Sequence, residues 1–162
     1  DQAPLTDKEA ESYDNAYANR WRTLLSVDDL VEAVVQTLDT LGIADKTYIF
    51  YTSDHGFHLG HLRLSPGKEH FYEFDSRVPM LISGPRVSTN TTASFIAGNV
   101  DLAPTFVALA GVDVVPQMDG RSILGLLLKN TTFSPTRPWR TQYPIEFSGL
   151  AGWTKPGIVC SV

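Results

Sequence analysis

Between positions 26 and 41, apolar side chains recur at helical spacing: Val27, Leu30, Val31, Val34, Val35, Leu38 and Leu41. Ser26 with Asp29 three positions on forms the two halves of a capping box, and Gly42 supplies a stop, so the pattern predicts a helix over residues 26–41. Upstream, Tyr13, Tyr17 and Trp21 recur every four residues in a polar stretch, which predicts a second covering helix over residues 9–22. Residues 47–52, Thr-Tyr-Ile-Phe-Tyr-Thr, are aromatic and β-branched without strong polar alternation, the signature of a central parallel strand buried on both faces. Residues 77–83 predict a second strand, closed by Gly84 and Pro85, with Pro79 at its start or on an edge. Asp101 is expected to cap a helix reaching Gly111, with Pro104 in its first turn; a short helix follows over residues 120–128 and a last strand over residues 143–147.

Helix, strand, loop, strand, helix, helix, strand is the rhythm of an α/β fold, here an incomplete part of a mainly parallel or mixed sheet flanked by helices. Residues 1–147 carry this pattern. Residues 148–162 show no periodicity and are expected to form an irregular tail.

Composition narrows the function classes. With 162 residues, 43% of them apolar, the chain has material for one ordinary domain with a core. A formal charge of -5 argues against a nucleic-acid groove or a basic membrane patch, so the expected partner is a small molecule or a polymer read at one pocket. No apolar run approaches the roughly 18 residues needed to cross a bilayer, and the first ten residues lack the apolar core of a signal peptide, so either the protein is soluble and cytosolic or its targeting signal lies outside this chain. Cys160 alone offers neither an internal disulfide nor a thiolate metal site. Two glycosylation sequons, beginning at Asn90 and Asn130, point toward the secretory pathway; the plainer reading makes both ordinary turn polars.

The chemistry concentrates between the two first strands. All four histidines, His55, His58, His61 and His70, fall there. Asp54 and His55 directly follow the strand, at the carboxyl edge where open α/β sheets bind ligands. Together they offer a divalent cation one hard oxygen and one borderline nitrogen, while Gly56 turns the backbone away; further oxygens must come from elsewhere. The spacing of His55, His58 and His61 suggests zinc only on a helix, and Gly56 and Gly60 argue against one. Lys68 follows the turn Ser65-Pro66-Gly67 and is a compact cation suited to a tetrahedral oxyanion, although a single lysine is ordinarily a solvated surface residue.

At these residues the sequence resembles the sulfatases of the alkaline-phosphatase superfamily. Residues 48–60, Tyr-Ile-Phe-Tyr-Thr-Ser-Asp-His-Gly-Phe-His-Leu-Gly, look like their strand and metal loop. Pro66-Gly67-Lys68, Tyr72-Glu73-Phe74-Asp75, Arg77-Val78-Pro79 and Ser83-Gly84-Pro85 look like the sulfate-binding lysine and the next strand. Residues 101–105, 109–111 and 118–122 resemble further family segments. Within the family, Tyr72-Glu73-Phe74-Asp75 and residues 20–29 most resemble the branch of N-acetylglucosamine-6-sulfatases and heparan 6-O-endosulfatases, with broad-specificity arylsulfatases close behind.

The resemblance implies that Asp54 and His55 bind calcium, with magnesium the alternative, and that Lys68 contacts the sulfate. It implies that His58 lines the substrate side and donates a proton to the leaving alcohol, work suited to an imidazole. His61 and His70 are implied as supporting loop residues. It further implies a sulfated small molecule or glycan as substrate, and a secreted or lysosomal location.

The family's nucleophile, a formylglycine made within a Cys-x-Pro-x-Arg pattern, has no counterpart here: at Phe133-Ser134-Pro135-Thr136-Arg137 a phenylalanine holds the reactive position. The early Asp-Asp pair that supplies further metal ligands is also absent, Asp28-Asp29 belonging to a helix start. Residues 1–147 are therefore expected to be the later part of a catalytic domain, with the missing N-terminal part as partner and no turnover by this chain alone. Two alternatives remain: a catalytically inactive fragment that binds an oxyanion or glycan, and a phosphate or phosphonate ester hydrolase of the same superfamily. Separated from its missing half, the sheet is expected to leave one side exposed and the chain poorly soluble.

Overall fold

In the computed structural model the described residues are 3–68, 70–113, 116–128 and 138–145, with the backbone of 158–161. They fall into two compact units, Asp1–Pro85 and Arg86–Val162, a division that the hydrophobic pattern does not reveal.

The first unit opens with one long helix, α1 (Asp7–Thr40). Thr6 caps it: its hydroxyl accepts from the Glu9 N–H at 3.3 Å while the Glu9 carboxylate accepts from the Thr6 N–H at 2.8 Å, a complete capping box. The two helices expected over residues 9–22 and 26–41 are thus one, and Ser26 does not cap. The intervening Thr23-Leu24-Leu25 contains no glycine or proline, so nothing in the chain stops propagation before Gly42, which adopts φ +65°. No residue of α1 is buried.

Strand β1 (Ile49–Thr52) pairs antiparallel with β2 (Met80–Ser83), in the register Ile49 to Ser83 and Thr52 to Met80. The parallel strand buried on both faces is not found among the described residues: Tyr51 is exposed. A run this short is apolar whether one face or two are covered, so its composition could not settle the burial. Pro79 stands immediately before β2, where its missing N–H costs no ladder bond. Between the strands runs the histidine-rich loop and one short helical turn, α2 (Glu73–Ser76).

The second unit is organised around Asp101. Helix α3 (Leu102–Leu109) follows it, then α4 (Leu124–Leu127) and strand β3 (Gln142–Ile145), which pairs antiparallel with β4 (Ile158–Ser161). Asp101 does not cap α3 through its side chain, as expected of it. Its fully buried carboxylate instead takes a fork-like pair of bonds from Arg140, at 2.5 and 2.7 Å, and bonds from the N–H groups of Arg121 and Gly98. With the fork of Arg140 and two N–H groups filling both oxygens, no acceptor position is left for a cap. Thr105 ties α3 to the next segment, donating to the Asp101 carbonyl and accepting from the Ile123 N–H. Residues 148–162 are not wholly irregular, since β4 lies within them; Ile158-Val159-Cys160 is too short an apolar run to register as periodic.

Candidate functional site

The first unit places the expected site residues on the loop that leaves β1. Ser53 turns the chain: its hydroxyl donates to the His55 carbonyl at 2.8 Å. Gly56 then passes against α2, donating its N–H to the Asp75 carbonyl at 2.8 Å. A Cβ at position 56 would overlap the Phe74 carbonyl oxygen, so only glycine fits. Gly60, at φ +77°, packs against the ring of Tyr13 and so holds this loop to α1.

Asp54, His55 and Lys68 converge. The His55 Nδ1 lies 2.8 Å from the Gly56 carbonyl, which can only accept, so Nδ1 carries the proton and Nε2 presents its lone pair. That lone pair faces the Lys68 ammonium at 2.7 Å and lies 3.1 Å from the Asp54 carboxylate. Two electron-pair donors this close require a cation between or beside them. Lys68 provides one, and a divalent ion would satisfy the same pair, so the donor set fits two corners of a metal site. Among the described residues no group of three or more His, Cys, Asp or Glu side chains is gathered to hold an ion. Desolvation is the largest single influence and pushes the Asp54 carboxyl up, but the N–H groups of His55 and Asp54, with the adjacent His55 ring and Lys68 ammonium, together outweigh it and hold the group below its ordinary value. Asp54 is thus anionic, as a ligand must be.

His58 is placed differently from the other three. It is 1% exposed, with Nδ1 donating to both oxygens of the equally buried Asp75 at 2.8 and 2.9 Å. The expectation that it lines the substrate side finds no geometry here, since Asp75 holds the ring beneath the loop. Reciprocal backbone bonds join His58 to Gly67, the residue before Lys68, and Asp75 also accepts from the His70 N–H. The buried pair therefore ties the loop bearing Asp54 and His55 to the turn bearing Lys68. His61 stacks on Phe74 with ring centroids 5.0 Å apart, and His70 lies against His58. Asp75 itself was legible only as part of a family-like motif, because nothing local marks a residue 17 positions away as the partner of His58.

A cleft of about 550 Å³ opens beside Ser53, Asp54 and His55, walled by Phe57, Pro66 and Arg20 of α1. That volume suits a sugar-sized ligand. Arg20 lines this cleft although the pattern of the chain gives no sign of it: on α1 it reads as one exposed charge among many.

The family model for sulfatases matches residues 1–112. This chain belongs to the sulfatase family. As a sulfatase segment it is 43% identical over 147 residues to N-acetylglucosamine-6-sulfatase of Homo sapiens, covering 90% of this chain and 26% of that protein. It is 49% identical over 130 residues to an extracellular sulfatase SULF-1 homolog of Drosophila melanogaster, covering 80% of this chain and 12% of that protein. Among solved structures, BT4656 in complex with its substrate D-glucosamine-2-N,6-O-disulfate superposes with a TM-score of 0.74 at 31% identity, over 86% of this chain and 28% of that one. The phosphonate monoester hydrolase SpPMH from Silicibacter pomeroyi superposes with a TM-score of 0.66 at 30% identity, over 75% and 23%. The sulfatase segment thus spans about a quarter of the length of its human relative. It is an α/β fragment of the sulfatase fold, and no described helix is long and apolar enough to cross a membrane.

Proposed function

We propose that the protein carrying this sulfatase segment hydrolyses a sulfate ester on an amino sugar of the glycosaminoglycan type, with a nucleophile supplied outside these residues. The convergence of Lys68 on Asp54 and His55, two residues that line a sugar-sized cleft, carries the reading. The relatives support it, since their names concern sulfated sugars.

Asp54 and His55 would hold a divalent cation, calcium or magnesium, which when bound neutralises charge on the sulfate oxygens. The Lys68 ammonium, already aimed at the same point, contacts the sulfate and stabilises charge that develops there during transfer. Bonding to Gly56 holds the His55 ring in one tautomer, so its Nε2 needs no reorganisation to act as a ligand. His58 and Asp75 contribute by holding the two loops in register rather than by moving a proton to substrate. The exposed Asn90, in a turn at φ +52°, is sterically open to glycosylation in the secretory pathway; Asn130 lies outside the described residues.

The test uses the longer protein with its Cys-x-Pro-x-Arg segment. It should release sulfate from a chromogenic aryl sulfate and from N-acetylglucosamine 6-sulfate in preference to phosphate from the aryl phosphate. Lys68→Ala should cut kcat about 100-fold or more, as removal of one donor to a developing oxyanion does elsewhere. Preference for the phosphate ester, or full activity without Lys68, would overturn the assignment.

A further inference from the structure

Arg20 stands at the wall of the cleft opposite to any role yet given. It projects from the middle of α1, is exposed, and its guanidinium lies 5.2 Å from the centroid of the Phe57 ring. Attraction to an aromatic face uses none of the hydrogen bonds of the guanidinium. Among the described residues no carboxylate forms an ion pair with it. Of Lys68 and Arg20, Lys68 acts on Asp54 and Arg20 does not. Arg20 is therefore the positive group on the cleft wall itself, beside Phe57, whereas Lys68 reaches the cleft only through His55, on which its ammonium sits.

One anion, the sulfate of the ester, accounts for Lys68 only. A guanidinium fork in the same sugar-sized cleft matches a second tetrahedral or planar anion, and matches it bidentately. We propose that Arg20 is a specificity-determining residue, binding a second anionic group, a sulfate or a carboxylate, carried by the sugar whose ester is cleaved. The inference rests on the sulfatase reading above. It goes beyond that reading by assigning recognition of a second negative group to Arg20.

Arg20 is exposed on a helix, so Arg20→Ala should leave the melting temperature unchanged. The full-length protein would be assayed on three compounds: N-acetylglucosamine 6-sulfate, the same sugar with a second sulfate, and a disaccharide in which a neighbouring uronic acid supplies the second charge. The expected result is a wild-type preference for at least one doubly charged compound. Arg20→Ala should raise KM for that compound about tenfold or more, the loss expected of charge-assisted hydrogen bonds, and leave the singly charged sugar within about twofold. Arg20→Lys should recover part of the loss, because charge returns without the fork. Which doubly charged compound responds separates sulfate from carboxylate. Equal losses on all three, or none on any, would overturn the role of Arg20 while leaving the sulfatase reading intact. Failure of the wild-type protein to release sulfate from any of them would overturn both.

Discussion

Asp101 carries an anionic charge with no exposure to water, and it does so because every acceptor position is filled. Burial pushes its carboxyl up, but the Arg140 hydrogen bonds, the N–H groups of Arg121 and Gly98 and the Arg140 charge pull it further down, below the ordinary carboxylate range. Arg140 in turn lies 4.9 Å from the ring of Trp139 and 5.3 Å from that of Tyr143. Asp101→Asn leaves this half-buried guanidinium without its counter-charge and should destabilise the protein by on the order of 3 kcal/mol, measured by denaturant unfolding. Because the folded-state value is depressed, Asp101 contributes fully above the ordinary carboxylate range and loses its contribution as pH falls toward its own lowered value. Melting temperatures taken across that acid window should fall more steeply for the wild type than for Asp101→Asn. At this scale the chain was readable where chemistry is local. Asp54, His55 and Lys68 were identified from residue type and placement after a strand, and the structure gathers them. The burial of His58 against Asp75 and the approach of Arg20 to Phe57 were not legible, because each depends on a partner distant in the chain.

Helix α1 shows what periodicity can and cannot deliver. Apolar spacing identified helical residues on both sides of Ser26, but the break between them was inferred from a serine that resembles a cap. Capping residues mark a boundary only when the chain also leaves the helix there, and here the backbone continues through to Thr40. Ser26→Pro distinguishes the two arrangements. Proline is accepted at the start of a helix, whereas in the interior of a continuous one it should cost about 3 kcal/mol or more, seen as lost helicity by circular dichroism and a lower melting temperature. The strands were legible as β1 and β2, each two or three residues shorter than expected at its N-terminal end. Their direction relative to one another was not legible, since aromatic and β-branched content reports strand formation and not pairing partner.

Across the molecule, burial is sparse. Ile123 and Pro104 are the buried apolar side chains among the described residues, while Trp21, Leu25, Leu30 and Leu41 on or beside α1 are each 59% exposed or more. Apolar surface of this kind is covered when it can be, at about 25 cal/mol for each Å² removed from water. The 162 residues expressed alone should therefore self-associate and bind a hydrophobic dye. The longer protein should do neither, and Leu25→Glu with Leu30→Glu should reduce association of the isolated chain. A monomeric, dye-negative fragment at high concentration would contradict this. The α/β class and the family were legible from several motifs in register, whereas the scarcity of a core was not: composition counts apolar side chains without saying what they face.

The absence of space at Gly56 reaches beyond packing. Its backbone is pressed against α2 and bonded to Asp75, the residue that also holds His58 and, through it, the turn before Lys68. The backbone spacing between the Asp54 loop and the turn before Lys68 is therefore set by this packed core of contacts, and a side chain added at Gly56 would disturb all of them together. A lineage can change what the cleft accepts by altering its walls, at positions such as Arg20, but the spacing of its charged centre is inherited whole or lost whole.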